Sequence, residues 1–167
     1  MARGQCTEHY GEGEPYLPLL EALGQLCRGP RPAEVLAVLR RYAPLWLGQL
    51  LGVLSEAEQE HVQRQTQGAS AARMLRELAE ALEVLTADVP LVVVLEDLQW
   101  SDHATVEALA YLAQRRGPAR LLVLGTYRPV EMALRAPPLR GLLQQLCGRG
   151  QGVEVRLELL PAEAVTA

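Results

Sequence analysis

Residues 91–102, Leu-Val-Val-Val-Leu-Glu-Asp-Leu-Gln-Trp-Ser-Asp, constrain the fold of this chain more than any other stretch, because an unbroken aliphatic run leads directly into two acids. A parallel strand covered on both faces reads as such a run, and open α/β sheets take their ligands at the carboxyl ends of such strands. Placing Glu96 and Asp97 at that end costs stability unless a cation or hydrogen-bond donors compensate them. The plainer alternative is that both acids leave the core in a solvated turn, with Ser101 or Asp102 capping the next helix.

A second aliphatic run over 120–128, Arg-Leu-Leu-Val-Leu-Gly-Thr-Tyr-Arg, follows one helix later and brings Thr126 and Arg128 to its carboxyl end. Between the runs, Val106, Leu109, Ala110, Leu112 and Ala113 recur at helical spacing until Arg115-Arg116-Gly117-Pro118 ends the period. The predicted unit is strand, helix, strand. A right-handed crossover lays two such strands parallel, so Glu96, Asp97 and Arg128 are expected on one rim of the sheet.

These two strands resemble the Walker B and sensor 1 strands of the signal-transduction ATPases with numerous domains (STAND), a branch of the AAA-like P-loop NTPases. Within it they are most similar to the ATPase domains of large bacterial LuxR-type transcriptional regulators and of adenylate-cyclase-linked regulators. The stretch Arg3-Gly-Gln-Cys-Thr-Glu-His-Tyr-Gly-Glu-Gly-Glu-Pro-Tyr-Leu-Pro-Leu-Leu-Glu-Ala-Leu also resembles the strand and helix that follow the P-loop helix in that family. The resemblance implies an α/β, three-layer P-loop NTPase-like sandwich with a mostly parallel sheet and a helical insertion between the first two strands. It also implies ATP and Mg2+ as cofactors. By position, Glu96 would face the metal through water, Asp97 would polarise the attacking water, and Arg128 would sense the terminal phosphate, as a guanidinium can bidentately. A surface salt bridge with Glu131 is the alternative for Arg128. Trp100 is expected to pack beneath the site, and Gln99 stands where relatives often carry histidine.

One departure from that family limits the implied chemistry. A P-loop requires G-x-x-x-x-G-K-[ST], whose backbone N–H groups cradle phosphates while its lysine reaches the terminal ones. All 16 basic residues here are arginine, and Gly11-Glu12-Gly13 runs into Glu14-Pro15, which repels phosphate. The chain is therefore expected to begin just downstream of the family's P-loop, as a single partial ATPase domain over 1–167 that lacks the P-loop strand. Without that middle strand, the last strand must pair directly with the 121–127 strand or leave backbone groups exposed on two edges, and either outcome predicts a marginal fold.

Composition narrows the class further. Ile, Lys, Phe and Asn are absent, the mark of a GC-rich bacterial gene, and 49% hydrophobic residues over 167 suffice for one domain with a core. A net charge of −4 without a basic cluster argues against direct nucleic-acid binding. Cys6, Cys27 and Cys147 have no metal or redox spacing and are expected to be core or surface thiols of a reducing cytosol. No apolar run approaches the roughly 18 residues that span a bilayer, and the start lacks a signal-peptide core, so a cytoplasmic location is expected.

Punctuation sets the rest. We expect a strand over Ala2–Tyr10, a turn at Gly11–Glu14, and a helical segment over about 15–86. Its helices are predicted at Pro15–Leu26, Ala33–Tyr42 and Ala43–Leu54. A polar helix follows from a Ser55–Glu58 capping box to Gln65, then an amphipathic helix at Ala69–Thr86. The Walker B to sensor 1 core occupies about 90–131, a helix runs from Pro137-Pro138 through Cys147, and an alternating strand spans about 153–159, with a helical turn at Pro161–Val165. Two functions suit this organisation. The first is a nucleotide switch whose partners are effector or sensor domains on the same polypeptide. The second is a non-enzymatic helical interaction module, open to self-association, that uses the Leu-rich stretch Leu45–Leu54.

Overall fold

In a computed structural model, residues 1–8, 14–50, 52–55, 58–60, 62, 64, 68, 70–115, 117–135 and 138–158 are described. The aliphatic runs pair as anticipated. Strands β1 (Ala2–Gln5), β2 (Leu91–Glu96) and β3 (Leu121–Gly125) form one parallel sheet in the order β1-β2-β3, with Val93 opposite Ala2 on one side and Val123 on the other. Helices α1 (Leu17–Cys27), α2 (Pro32–Tyr42), α3 (Pro44–Leu47) and α4 (Ala71–Leu85) lie between β1 and β2 in sequence. Residues 58–60, 62 and 64 are also helical. Helix α5 (His103–Gln114) connects β2 to β3, and α6 (Pro129–Arg135) and α7 (Leu139–Gly148) follow. Residues 11–13 of the turn expected at Gly11–Glu14 and the final turn expected at Pro161–Val165 lie outside the described residues.

The order of the strands decides where the core sits. Each new strand is added on the same side of the last, and crossovers of the usual right hand then lay their helices on one face of the sheet. On that face Val93, Leu95, Leu121 and Val123 meet Leu19, Leu23, Leu78, Leu82, Leu109 and Leu112 of α1, α4 and α5 around an apolar cavity of about 20 Å3. The cavity has room for about one water but offers it no polar partner. Gly4 permits the closest approach, since a Cβ there would stand 1.8 Å from the Pro18 carbonyl oxygen of α1.

The opposite face departs from expectation. β2 alternates, with Leu91, Val93 and Leu95 buried and Val92, Val94 and Glu96 only partly so, instead of being covered on both sides. Leu122 and Leu124 beside them are 53% and 47% exposed. Among the described residues the architecture is thus two layers, and the third layer that an unbroken aliphatic run implies is not among them.

The two sheet edges differ as well. In β1 the outward amides of Arg3 and Gln5 donate to Gln25 Oε1 at 2.9 Å and Glu21 Oε2 at 2.8 Å, so α1 side chains close that edge. Among the described residues β3 has no such cover. Residues 153–158, expected from their alternation to form a strand, form none: Val153, Val155 and Leu157 are exposed, and no backbone bond links them to β3. Alternation is necessary for a half-buried strand, but a strand also needs a hydrogen-bonding neighbour. Among the described residues the β3 edge is thus bare, while the β1 edge is closed by α1.

The helical segment is held by one buried acid. Glu77 on α4 is only 6% exposed. It accepts from the Leu45 amide at the start of α3 and from Arg73 Nε, both at 2.9 Å. Next to it Trp46 is fully buried, donates Nε1–H to the Met74 carbonyl at 2.8 Å, and stacks at a tilt on Tyr16 with ring centroids 5.0 Å apart. Leu45, Leu47 and Leu50 are buried too, so the first apolar residues of the stretch considered as a protein interface are core. The Ser55–Glu58 capping box is half realised. Glu58 Oε2 accepts from the Ser55 amide at 3.0 Å, but the serine hydroxyl donates to Glu58 in place of accepting a helical N–H. Thr86, at the end of α4, accepts the Arg120 amide at 3.1 Å and so sets the entry of β3.

Glu77→Ala strands the buried Leu45 amide without an acceptor, a loss of about 2 kcal/mol. Glu77→Gln keeps an acceptor and should lose less. Urea denaturation of the two variants checks the order, and equal stabilities would contradict this role for Glu77.

Candidate functional site

β2 and β3 end side by side, and their carboxyl ends build the rim on which the sequence placed its candidate chemistry. The β2 strand ends at Glu96, and Asp97 then takes the left-handed conformation (φ 54°, ψ 42°). Aspartate tolerates that region better than most side chains, and residues held there are concentrated at functional sites. The turn is fixed from β3: the Asp97 amide donates to Thr126 Oγ1 at 3.2 Å, the Leu98 amide to the Thr126 carbonyl at 2.8 Å, and the Thr126 amide to the Leu95 carbonyl at 2.9 Å. A one-turn 3-10 helix, Leu98–Trp100, follows. Gly125 makes room for it, because a Cβ there would stand 2.4 Å from Leu98 Cδ1.

The two acids face different partners. Glu96 lies on the open face of the sheet, where Arg3 on β1 binds it through Nε at 2.6 Å and through Nη2. Both side chains retain solvent access, so this is a surface pair worth about 1 kcal/mol or less. Asp97 is held by amides: Oδ1 accepts from Gln99 Nε2 at 3.0 Å and Oδ2 from Gln5 Nε2 at 3.2 Å. Arg128 Nε lies 3.9 Å from Oδ1 on a largely exposed side chain. The Gln99 hydrogen bond, aided by Gln5 and Arg128, holds the Asp97 carboxyl below its ordinary range.

Asp97 and Arg128 are therefore brought together, as the crossover argument requires, while Glu96 is turned to Arg3. Arg3 and Gln5 were not foreseen, and Thr126 and Gln99, though placed at the rim by the sequence, were given no role there. Gln99 and Thr126 sit inside the informative stretches, but only the register of β1 against β2 could have revealed Arg3 and Gln5. Asp102 does cap α5, accepting the Thr105 amide at 2.8 Å, and also accepts the Tyr16 amide at 3.3 Å, which joins the starts of α5 and α1. Trp100 is partly buried against the core. Cys6 lies buried behind the rim, and burial, with Asp102, Asp97 and Glu21 nearby, pushes its thiol up to about 12, far from a reactive thiolate. Cys27 is also buried, Cys147 is exposed, and all three thiols are free.

Among the described residues, no cluster of three or more His, Cys, Asp or Glu side chains is arranged to hold a metal ion. The rim fits one part of Mg-ATP: Glu96 and Asp97 offer partly exposed carboxylates to a hydrated cation and its waters, and Arg128 offers a solvent-facing guanidinium to phosphate. The described residues supply no backbone cradle for the remaining phosphates.

Because the Asp97 carboxyl is held low in the native state, it contributes stability above the unfolded value near 3.9, and this is lost as pH falls through the lower native value. Asp97→Asn should flatten that acid limb. Urea melts at a series of pH values check this, and an unchanged acid limb would contradict it.

A comparison with protein families matches residues 1–124 to the AAA ATPase domain. No curated protein matches the chain. No solved structure matches it. Among the described residues no helix is long and apolar enough to cross a membrane. The matched region takes in β1, the helical segment, β2 with both acids, and nearly all of β3; the chain belongs to the AAA ATPase domain family.

Proposed function

We propose that this chain is the acid-bearing part of an ATP-dependent switch domain of the STAND class, of the kind found in bacterial LuxR-type and adenylate-cyclase-linked regulators. The observation that carries the reading is the meeting of Asp97 and Arg128 on one rim of a parallel sheet, within a chain of the AAA ATPase family. The whole of 1–167 is read as one partial domain, with the helices between β1 and β2 as the family's insertion. A cytoplasmic location, with effector or sensor domains on the same polypeptide, follows from the same reading.

In this reading Asp97 would orient the attacking water, Arg128 would meet the terminal phosphate, and Glu96, if freed from Arg3, would be the residue that holds the metal. Mg2+ supplies neutralisation of phosphate charge when bound. Gln5 and Gln99 hold the Asp97 carboxylate in one orientation, so its lone pairs point at a fixed place on the rim. Phosphoryl transfer rests on positioning and charge stabilisation, much of which a phosphate cradle provides. This chain alone is therefore a weak nucleotide binder with negligible hydrolysis. Its service to a regulator lies in biasing an attached domain between two states. The interaction-module reading loses ground because Leu45, Trp46, Leu47 and Leu50 are buried.

Binding of a fluorescent ATP analogue with magnesium tests the assignment. Weak binding should fall about tenfold in Asp97→Ala and in Arg128→Ala, the loss of one charge-assisted contact each. Binding that is indifferent to both substitutions would contradict the reading, and tight binding abolished by them would show a complete phosphate site in this chain.

A further inference from the structure

Gln99 is 3% exposed and lies between the ends of β2 and β3, where its side-chain amide bridges two parts of the rim. Its Nε2 donates to Asp97 Oδ1 at 3.0 Å and its Oε1 accepts the Arg128 amide at 3.1 Å. A primary amide buried without partners is costly, so a change at one end of Gln99 is felt at the other. The bonds are also directional. Asp97 can only accept from Gln99 and the Arg128 amide can only donate to it, so an amide flip would set two donors face to face at one end and two acceptors at the other.

The far end of this chain of bonds leads into α6. The Arg128 carbonyl accepts the Met132 amide at 3.1 Å, which makes Arg128 the residue from which α6 starts, and Met132 is itself buried in the core. Displacing the Arg128 amide therefore displaces the first turn of α6.

We propose that Gln99 is a positioning residue that couples the state of the Asp97 carboxylate to the start of α6. This deepens the nucleotide-switch reading and rests on it for its biological purpose. A cation or a phosphate-bound water that draws Asp97 Oδ1 away pulls on the Gln99 amide. Since the amide cannot flip, the Arg128 backbone moves with it. The direct approach of Arg128 Nε to Asp97 is on an exposed side chain and is a weaker route for the same signal.

The test is a double-mutant comparison by amide NMR on the whole chain without nucleotide, so that it stands apart from whether ATP binds. Asp97→Ala should displace the amide resonances of Arg128 and of residues 130–134. In a Gln99→Met background the same substitution should leave those resonances unmoved. Gln99→Leu serves in the same way should the methionine variant fail to fold. Displacement of α6 by Asp97→Ala that persists without the Gln99 amide would overturn the proposal, as would no displacement in the parent chain.

Discussion

Everything in this molecule is arranged around β2, which alone among the described strands has a hydrogen-bonded neighbour on both sides. Its parallel pairing to β1 fixes Arg3 and Gln5 beside Glu96 and Asp97, and its parallel pairing to β3 fixes Thr126 and Arg128 beside the same acids. A shift of register by one residue would exchange the faces of β2, drive Val92 and Val94 into the core, and break every contact at the rim.

The same pairing explains why the sheet is lopsided. Strands added in one direction leave one face to all the helices, and α1, α4 and α5 fill it with leucine. α1 also closes the β1 edge through Gln25 and Glu21. β3 keeps an edge without a strand partner among the described residues, and Leu122 and Leu124 stand half open on the outer face. Proteins seldom leave such an edge bare, since its free amides and carbonyls invite another strand.

Much of this was legible from residues alone. The aliphatic runs pointed to β2 and β3, their spacing to α5, and the crossover rule to the shared rim of Asp97 and Arg128. What failed were inferences that depend on neighbours. The unbroken run at 91–95 could not say that one face of β2 would be half open, because a buried strand and a half-buried one can carry the same side chains. Alternation at 153–158 could not supply a pairing partner. The pairing of Glu96 with Arg3 was out of reach too, because only the β1 register brings the two together. Gln99 stood out only as a glutamine where relatives often carry histidine, and its double role needs the Arg128 amide, 29 residues away.

The rim therefore depends on β2 being the middle of a sheet whose β3 edge is open. The two-residue period that sends the Thr126 amide to Leu95 also sends those of Leu122 and Leu124 toward β2, and leaves those of Leu121, Val123 and Gly125 pointing outward. Amide hydrogen exchange resolves the two sets most directly. Slow exchange is predicted at Leu122, Leu124 and throughout β2, with fast exchange at Val123 and Gly125. Equal protection of Val123 and Leu124 would mean that the outer edge is paired after all, and would contradict an open β3 edge.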